Sequence, residues 1–147
     1  MIVLVQDGKL TDVLYIVIDE WKNKLSDVLK IIPLEQNVGL GDALNEGIKH
    51  CSYELIARMD TDDISLPDRF EKQLKVFEIS DIDICSGWIS EFEDDEIKIK
   101  SYKKLPENHD DIVKYAKVRC PINHPTVMYK KSSVEKAGGY QKMMLME

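Results

Sequence analysis

The chain has 147 residues, 44% of them hydrophobic, and carries 27 acidic against 20 basic side chains, a net charge of −7. Such a composition fits one globular domain and excludes a disordered chain, and no apolar run approaches the roughly 18–20 residues of a membrane-spanning helix. The acidic balance argues against a sequence-independent nucleic-acid binder, because the basic groups are not gathered into a patch that could offset phosphate repulsion.

Met1 is followed at once by Ile2-Val3-Leu4-Val5, a β-branched run of the kind that forms a strand buried on both faces. It lacks the basic n-region of a secretory signal. After Asp7-Gly8, apolar residues recur at helical spacing from Thr11 to about Lys24. A second strand, Val28 to Leu34, leads through Asn37-Val38-Gly39-Leu40-Gly41 into a helix carrying Ala43, Leu44, Gly47 and Ile48 on one side. A third strand, Leu55-Ile56-Ala57, runs into Asp60-Thr61-Asp62-Asp63. Pro67 then marks the first turn of a helix whose buried face is predicted to be Phe70, Leu74, Phe77 and Ile79. Strand and helix alternate three times, as a parallel sheet with covering helices requires.

The second half is patterned differently. Ile82-Asp83-Ile84 is a further strand, and Trp88 to Phe92 with Ile97 to Ile99 alternate as an antiparallel pair around the solvated acidic turn Glu93-Asp94-Asp95-Glu96. A polar helix is expected from about Asp110 to Lys117, a strand from Pro125 to Tyr129, and a short helix from Ser132 to Ala137 closed by Gly138-Gly139. Trp21, Trp88, Phe70 and Phe77 read as core, and Arg119, Lys130 and Lys131 as solvated charges. No linker or repeat divides the chain, so residues 1–147 are expected to form a single domain. Cys51, Cys85 and Cys120 are odd in number and far apart, which fits a reducing cytoplasm and neither a disulfide framework nor a structural zinc site.

Three carboxylates in Asp60-Thr61-Asp62-Asp63 repel one another unless they share a cation, and a short oxygen-rich cluster suits Mg²⁺ or Mn²⁺ with open positions for substrate phosphates. The bland alternative is a solvated turn in which Asp63 or Ser65 caps the next helix. Position favours a site, since ligands of open α/β sheets bind outside the carboxyl ends of the strands. Asp7-Gly8 and the Asn37–Gly41 loop are expected at the same edge. There Asp-Gly is also ordinary turn chemistry, while the loop's glycines permit close backbone approach to a ligand and its helix N-terminus suits a negative group. Neither a dinucleotide fingerprint nor a P-loop is present.

These residues resemble family 2 glycosyltransferases of GT-A fold, the nucleotide-diphospho-sugar transferase-like fold, and in particular bacterial enzymes that build capsule, exopolysaccharide or O-antigen sugars. The resemblance rests on Val5-Gln6-Asp7-Gly8, on Gln36 to Gly47, on Ala57-Arg58-Met59-Asp60-Thr61-Asp62-Asp63 with Pro67-Asp68-Arg69-Phe70-Glu71-Lys72-Gln73, and on Asn123-His124-Pro125-Thr126-Val127-Met128 with Gly138-Gly139-Tyr140. It implies a mostly parallel sheet flanked by helices and a metal-dependent, inverting transfer of sugar from a nucleotide donor, a UDP-sugar, to a saccharide or lipid-linked acceptor. In that reading Asp7 contacts the nucleotide base, Asn37 and Gly39 belong to the donor loop, Asp60 lies near ribose and metal, Asp62 coordinates Mn²⁺ or Mg²⁺, and Asp63 supports the loop or the sugar. Arg58 and His124 are further contacts to phosphate or sugar; a surface ion pair for Arg58 and a loop-tying role for His124 are the alternatives. A cytoplasmic location is implied, with the inner face of the cell membrane as one seat.

The chain also departs from the family. It starts at what would be the family's second strand and stops at Glu147, the glutamate of a Glu-Asp pair whose aspartate serves as general base. It is therefore expected to be a partial domain, truncated at both ends, that keeps much of the donor site and lacks the acceptor-side chemistry, with Glu147 standing in for the missing base only if it is ordered, and to self-associate through exposed sheet edges. The competing function is a non-catalytic, Mg²⁺-binding α/β regulatory domain of receiver type.

Overall fold

A computed structural model describes residues 1–141 and shows two compact units, one of residues 1–56 with 131–141, the other Ala57–Lys130. In the first, the β-branched opening forms strand β1 (Ile2–Gln6), which pairs in parallel with β2 (Leu29–Pro33), Ile2 opposite Leu29 and Gln6 opposite Pro33. The crossover is helix α1 (Asp12–Leu25) followed by a 3-10 turn, Ser26–Val28. Thr11 caps α1 by accepting the Leu14 N–H, and Asp12 in the first turn with Lys22 and Lys24 in the last complement the helix dipole.

Helix α2 (Leu40–His50) buries Ala43, Gly47 and Ile48 and packs on β1. A Cβ at Gly47 would stand 3.0 Å from Val5 Cγ2, so the small residue sets how near helix and strand approach. Strand β3 spans Leu55–Ala57. Helix α5 (Lys131–Lys136) ends as expected on Gly138 and Gly139, with φ of +93° and +70°. Gly139 N–H donates to Val134 C=O and Gly138 N–H to Glu135 C=O, the paired bonds that close a helix on a left-handed residue. Asn45 of α2 then holds the Tyr140 backbone with both ends of its amide, each at 2.8 Å.

In the second unit, helix α3 (Arg69–Ile79) is followed by β4 (Ile84–Cys85), β5 (Ile89–Phe92), β6 (Ile99–Lys103), helix α4 (His109–Ala116), a 3-10 turn (His124–Thr126) and β7 (Met128–Lys130). β7 is antiparallel to β4; β5 and β6 form an antiparallel hairpin, but β6 begins at Ile99, so Ile97 and Lys98, expected as strand, lie in the turn. Leu105, Val127, Met128 and Tyr129 are buried here, together with polar Arg58, Gln73 and Asn123.

Several burial expectations are corrected. Phe70, Leu74 and Ile79 are exposed and Phe77 only half-buried, because α3 turns Gln73 inward instead of its apolar stripe. Trp21 and Trp88 are each 50% exposed, each with a lysine (Lys24, Lys104) over its ring. α1 has no buried residue, and β1 is half-covered through Val5, with Gln6 its buried member. α3 starts at Arg69, two residues after Pro67, with Asp68 paired to Lys72 at 2.7 Å. Pro125 and Thr126, expected as strand, belong to the 3-10 turn. Lys130 pairs with Asp81 and Asp83, and Lys131 donates to Cys51 C=O, so neither is a simple solvated charge. Among the described residues no helix is long and apolar enough to cross a membrane.

Candidate functional site

In the first unit the sequence-selected residues form one clamp. Gly8, at φ +90°, turns the chain after β1, and a Cβ there would lie 2.7 Å from Asn37 N, so the backbones of the two loops touch. The Asp7 carboxylate accepts from Val38 N–H at 2.7 Å through Oδ1 and from Gly39 N–H at 3.1 Å through Oδ2. Asn37 Nδ2 returns a bond to Asp7 C=O at 3.4 Å. Gly39, at φ +88°, is the N-cap of α2, so the carboxylate sits where a helix N-terminus favours negative charge. Asp7, Asn37 and Gly39 are thus brought together, and the aspartate's role visible in the fold is to shape the loop. An open cleft of about 480 Å³ beside it is lined by Leu34, Val38, Asp42, Asn45, Glu46 and Lys49.

In the second unit Arg58, the residue after β3, is buried, not a surface group. Its Nη2 meets Asp60 Oδ1 at 2.6 Å, while Nε and Nη1 are buried without a hydrogen-bond partner among the described residues. The following turn is closed by Asp63 N–H on Asp60 C=O at 3.3 Å and exposes Asp62 and Asp63. The Asp63 carboxyl is pushed above the usual carboxylate range, first by partial desolvation and then by the Asp60 and Asp62 charges, with Arg58 and Arg69 acting the other way. The expected capping of α3 by Asp63 or Ser65 is not what the loop does: Asp68 occupies the N-cap position and makes no side-chain cap bond.

Sequence reasoning missed how this loop is held. Arg69 Nη2 donates to Arg58 C=O at 2.7 Å, Arg69 Nε to Gln73 Oε1 at 3.0 Å, and Gln73 Nε2 to Thr126 C=O at 2.7 Å. Thr126 Oγ1 accepts Gly87 N–H at 3.0 Å and lies 2.9 Å from Asn123 C=O, and Asn123 Nδ2 donates to Gly87 C=O at 2.9 Å. His124 opens the 3-10 turn between Asn123 and Thr126. The available signal was the i,i+4 spacing of Arg69 and Gln73, which puts both on one helix face. Glu147 lies outside the described residues.

Asp60 uses one oxygen on Arg58 and Asp62 is exposed, and the charges of both add to the desolvation that raises Asp63. That combination fits a hard divalent cation, although no three His, Cys, Asp or Glu side chains among the described residues are grouped to enclose one. A cation here would therefore draw further ligands from water or phosphate oxygens, as Mg²⁺ and Mn²⁺ commonly do.

The chain is mixed α/β, with a glycine-bearing loop after β2 and a carboxylate-rich loop after β3. The chain is a member of the glycosyl transferase family 2, whose family model matches residues 1–138. The α/β architecture agrees with the GT-A fold implied by the motifs. It is 48% identical over 141 residues to an uncharacterized glycosyltransferase of Haemophilus influenzae, covering 95% of this chain and 52% of that protein. It is 44% identical over 146 residues to an amylovoran biosynthesis glycosyltransferase of Erwinia amylovora, covering 99% and 54%. It is 40% identical over 147 residues to the UDP-Gal:alpha-D-GlcNAc-diphosphoundecaprenol beta-1,3-galactosyltransferase of Escherichia coli, covering 99% and 52%. The chain spans about half the length of these curated relatives.

Proposed function

We propose that the protein transfers a sugar from a nucleotide-diphosphate sugar, a UDP-sugar, to a saccharide or lipid-linked acceptor in cell-surface polysaccharide biosynthesis, with inversion at the anomeric carbon. The observation that carries this reading is the Arg58–Asp60 pair at 2.6 Å at the head of an exposed acidic turn, in a family 2 chain. Supporting it are relatives named for amylovoran synthesis and for transfer from UDP-Gal to a diphosphoundecaprenol-linked sugar. The receiver-like alternative finds no support in these matches.

In this proposal residues 1–147 belong to one catalytic domain. Asp7, with Asn37 and Gly39, receives the nucleotide base, and the clamp to Val38 and Gly39 keeps that carboxylate oriented. Asp60 and Asp62 hold Mn²⁺ or Mg²⁺, which when bound neutralises charge on the diphosphate leaving group. Arg58 fixes Asp60 and, with His124, is assigned in this proposal to contact phosphate or sugar. A carboxylate must take the proton of the acceptor hydroxyl, the role considered for Glu147. Work in the cytoplasm, at the inner face of the membrane where lipid-linked acceptors lie, and self-association through open strand edges complete the proposal.

The test is calorimetric titration of the chain with UDP in the presence and absence of Mn²⁺. Metal-dependent binding that is lost in Asp62→Ala is the expected result. Binding indifferent to Mn²⁺ and to Asp62 would overturn the donor-site assignment.

A further inference from the structure

We propose that Arg69 and Gln73 are positioning residues that couple the acidic loop to the His124 turn, so that both are set by one rigid face of α3. A single guanidinium and a single amide span the distance. Arg69 holds the carbonyl of Arg58, two residues before Asp60, at 2.7 Å, and lies 3.5 Å from the carbonyl of Val127. Gln73 accepts from Arg69 and donates to the carbonyl of Thr126, 53 residues away in sequence. The Val127 carbonyl also accepts Arg58 N–H at 2.9 Å, which closes the link between the two segments.

Gln73 is only 7% exposed, so an unmade bond there would leave a buried amide unsatisfied. The relay therefore resists independent movement of either loop: freeing one end breaks a charge-assisted bond or strands a buried polar group. Helix α3 is a rigid support, as side chains that orient a reacting group require. Arg69 cannot be replaced by lysine here, because an ammonium lacks the planar fork that reaches Arg58 C=O and Gln73 Oε1 together.

The coupling is independent of ligand identity; only its effect on nucleotide binding rests on the function proposed above. Hydrogen exchange followed by mass spectrometry on the whole chain tests it, reading peptides over residues 57–64, 121–128 and 40–50. Arg69→Lys is expected to raise exchange about tenfold in both of the first two and leave the third unchanged. Gln73→Glu keeps an acceptor for Arg69 but cannot donate to Thr126 C=O, so it should loosen 121–128 and spare 57–64. Uniform acceleration in all three peptides, or no change outside α3, would overturn the proposal. In parallel, Arg69→Lys should weaken binding of Mn²⁺ with UDP about tenfold in protein that retains its circular dichroism. Absence of binding in the unsubstituted chain would instead remove the donor-site reading and leave the exchange result to decide the coupling.

Discussion

The carboxylate of Asp7 accepts the backbone N–H of Val38 at 2.7 Å across a separation of 31 residues. With the second bond, from Gly39 N–H, one side chain at the end of β1 sets the entry to α2. Asp7→Ala removes both acceptors and is expected to destabilise the chain by about 1–3 kcal/mol. Urea denaturation measures this, and a loss below about 0.5 kcal/mol would show that water replaces the clamp without cost.

Gly8 and Gly39 have nearly the same φ, +90° and +88°, but differ in surroundings. A Cβ at Gly8 meets Asn37 N at 2.7 Å; at Gly39 it meets nothing within 4 Å. Gly39→Ala should therefore cost only the left-handed strain, about 1–2 kcal/mol. Gly8→Ala should cost clearly more, because the second loop must also shift. Equal losses in thermal melts of the two variants would contradict this account.

Asp60→Asn leaves the Arg58 guanidinium buried with a weakened partner. Since the Asp60 side chain is 35% exposed, the full cost of breaking a buried ion pair is screened, and about 1–3 kcal/mol is expected. Chemical denaturation of Asp60→Asn against Asp62→Asn checks the contrast: exposed Asp62 should cost under about 0.5 kcal/mol. A larger loss at Asp62 would show that Asp62, not Asp60, holds the loop together.

Burial pushes the thiols of Cys51 and Cys85 above the usual cysteine range, whereas Cys120 is exposed. A raised thiol pKa means less thiolate at neutral pH, so reaction at these two should stay slow near pH 7 and accelerate as the pH climbs toward their raised values. Stoichiometric labelling at pH 7 with a disulfide reagent, mapped by mass spectrometry, should modify Cys120 first, by about tenfold. Preferential labelling of Cys85 would show that β4 opens readily.

β1 and β2 form a two-stranded sheet, so among the described residues each has one unpaired edge. Beside them Val13, Ile16 and Trp21 of α1 are exposed. Open edges and apolar surface favour pairing with another chain. Light scattering of this chain is expected to show a mass that rises with concentration, and a constant monomer mass at high concentration would rule that out.

The order of elements and the loops that carry polar motifs were legible because they rest on local signals. β-branched runs became β1 and β2, alternation became the β5–β6 hairpin, and Gly138-Gly139 closed α5. What Asp7 and Arg58 do was decided only by the tertiary structure. A carboxylate's partners 31 and 32 residues away, or a guanidinium's burial, leave no trace in periodicity. The same holds for α3, where apolar spacing pointed to Phe70, Leu74 and Ile79 but the inward face is Gln73. Periodicity records which residues avoid water. A buried polar face is instead selected by carbonyls that the rest of the chain presents to it, those of Arg58 and Thr126, and these come within reach only when the chain is folded.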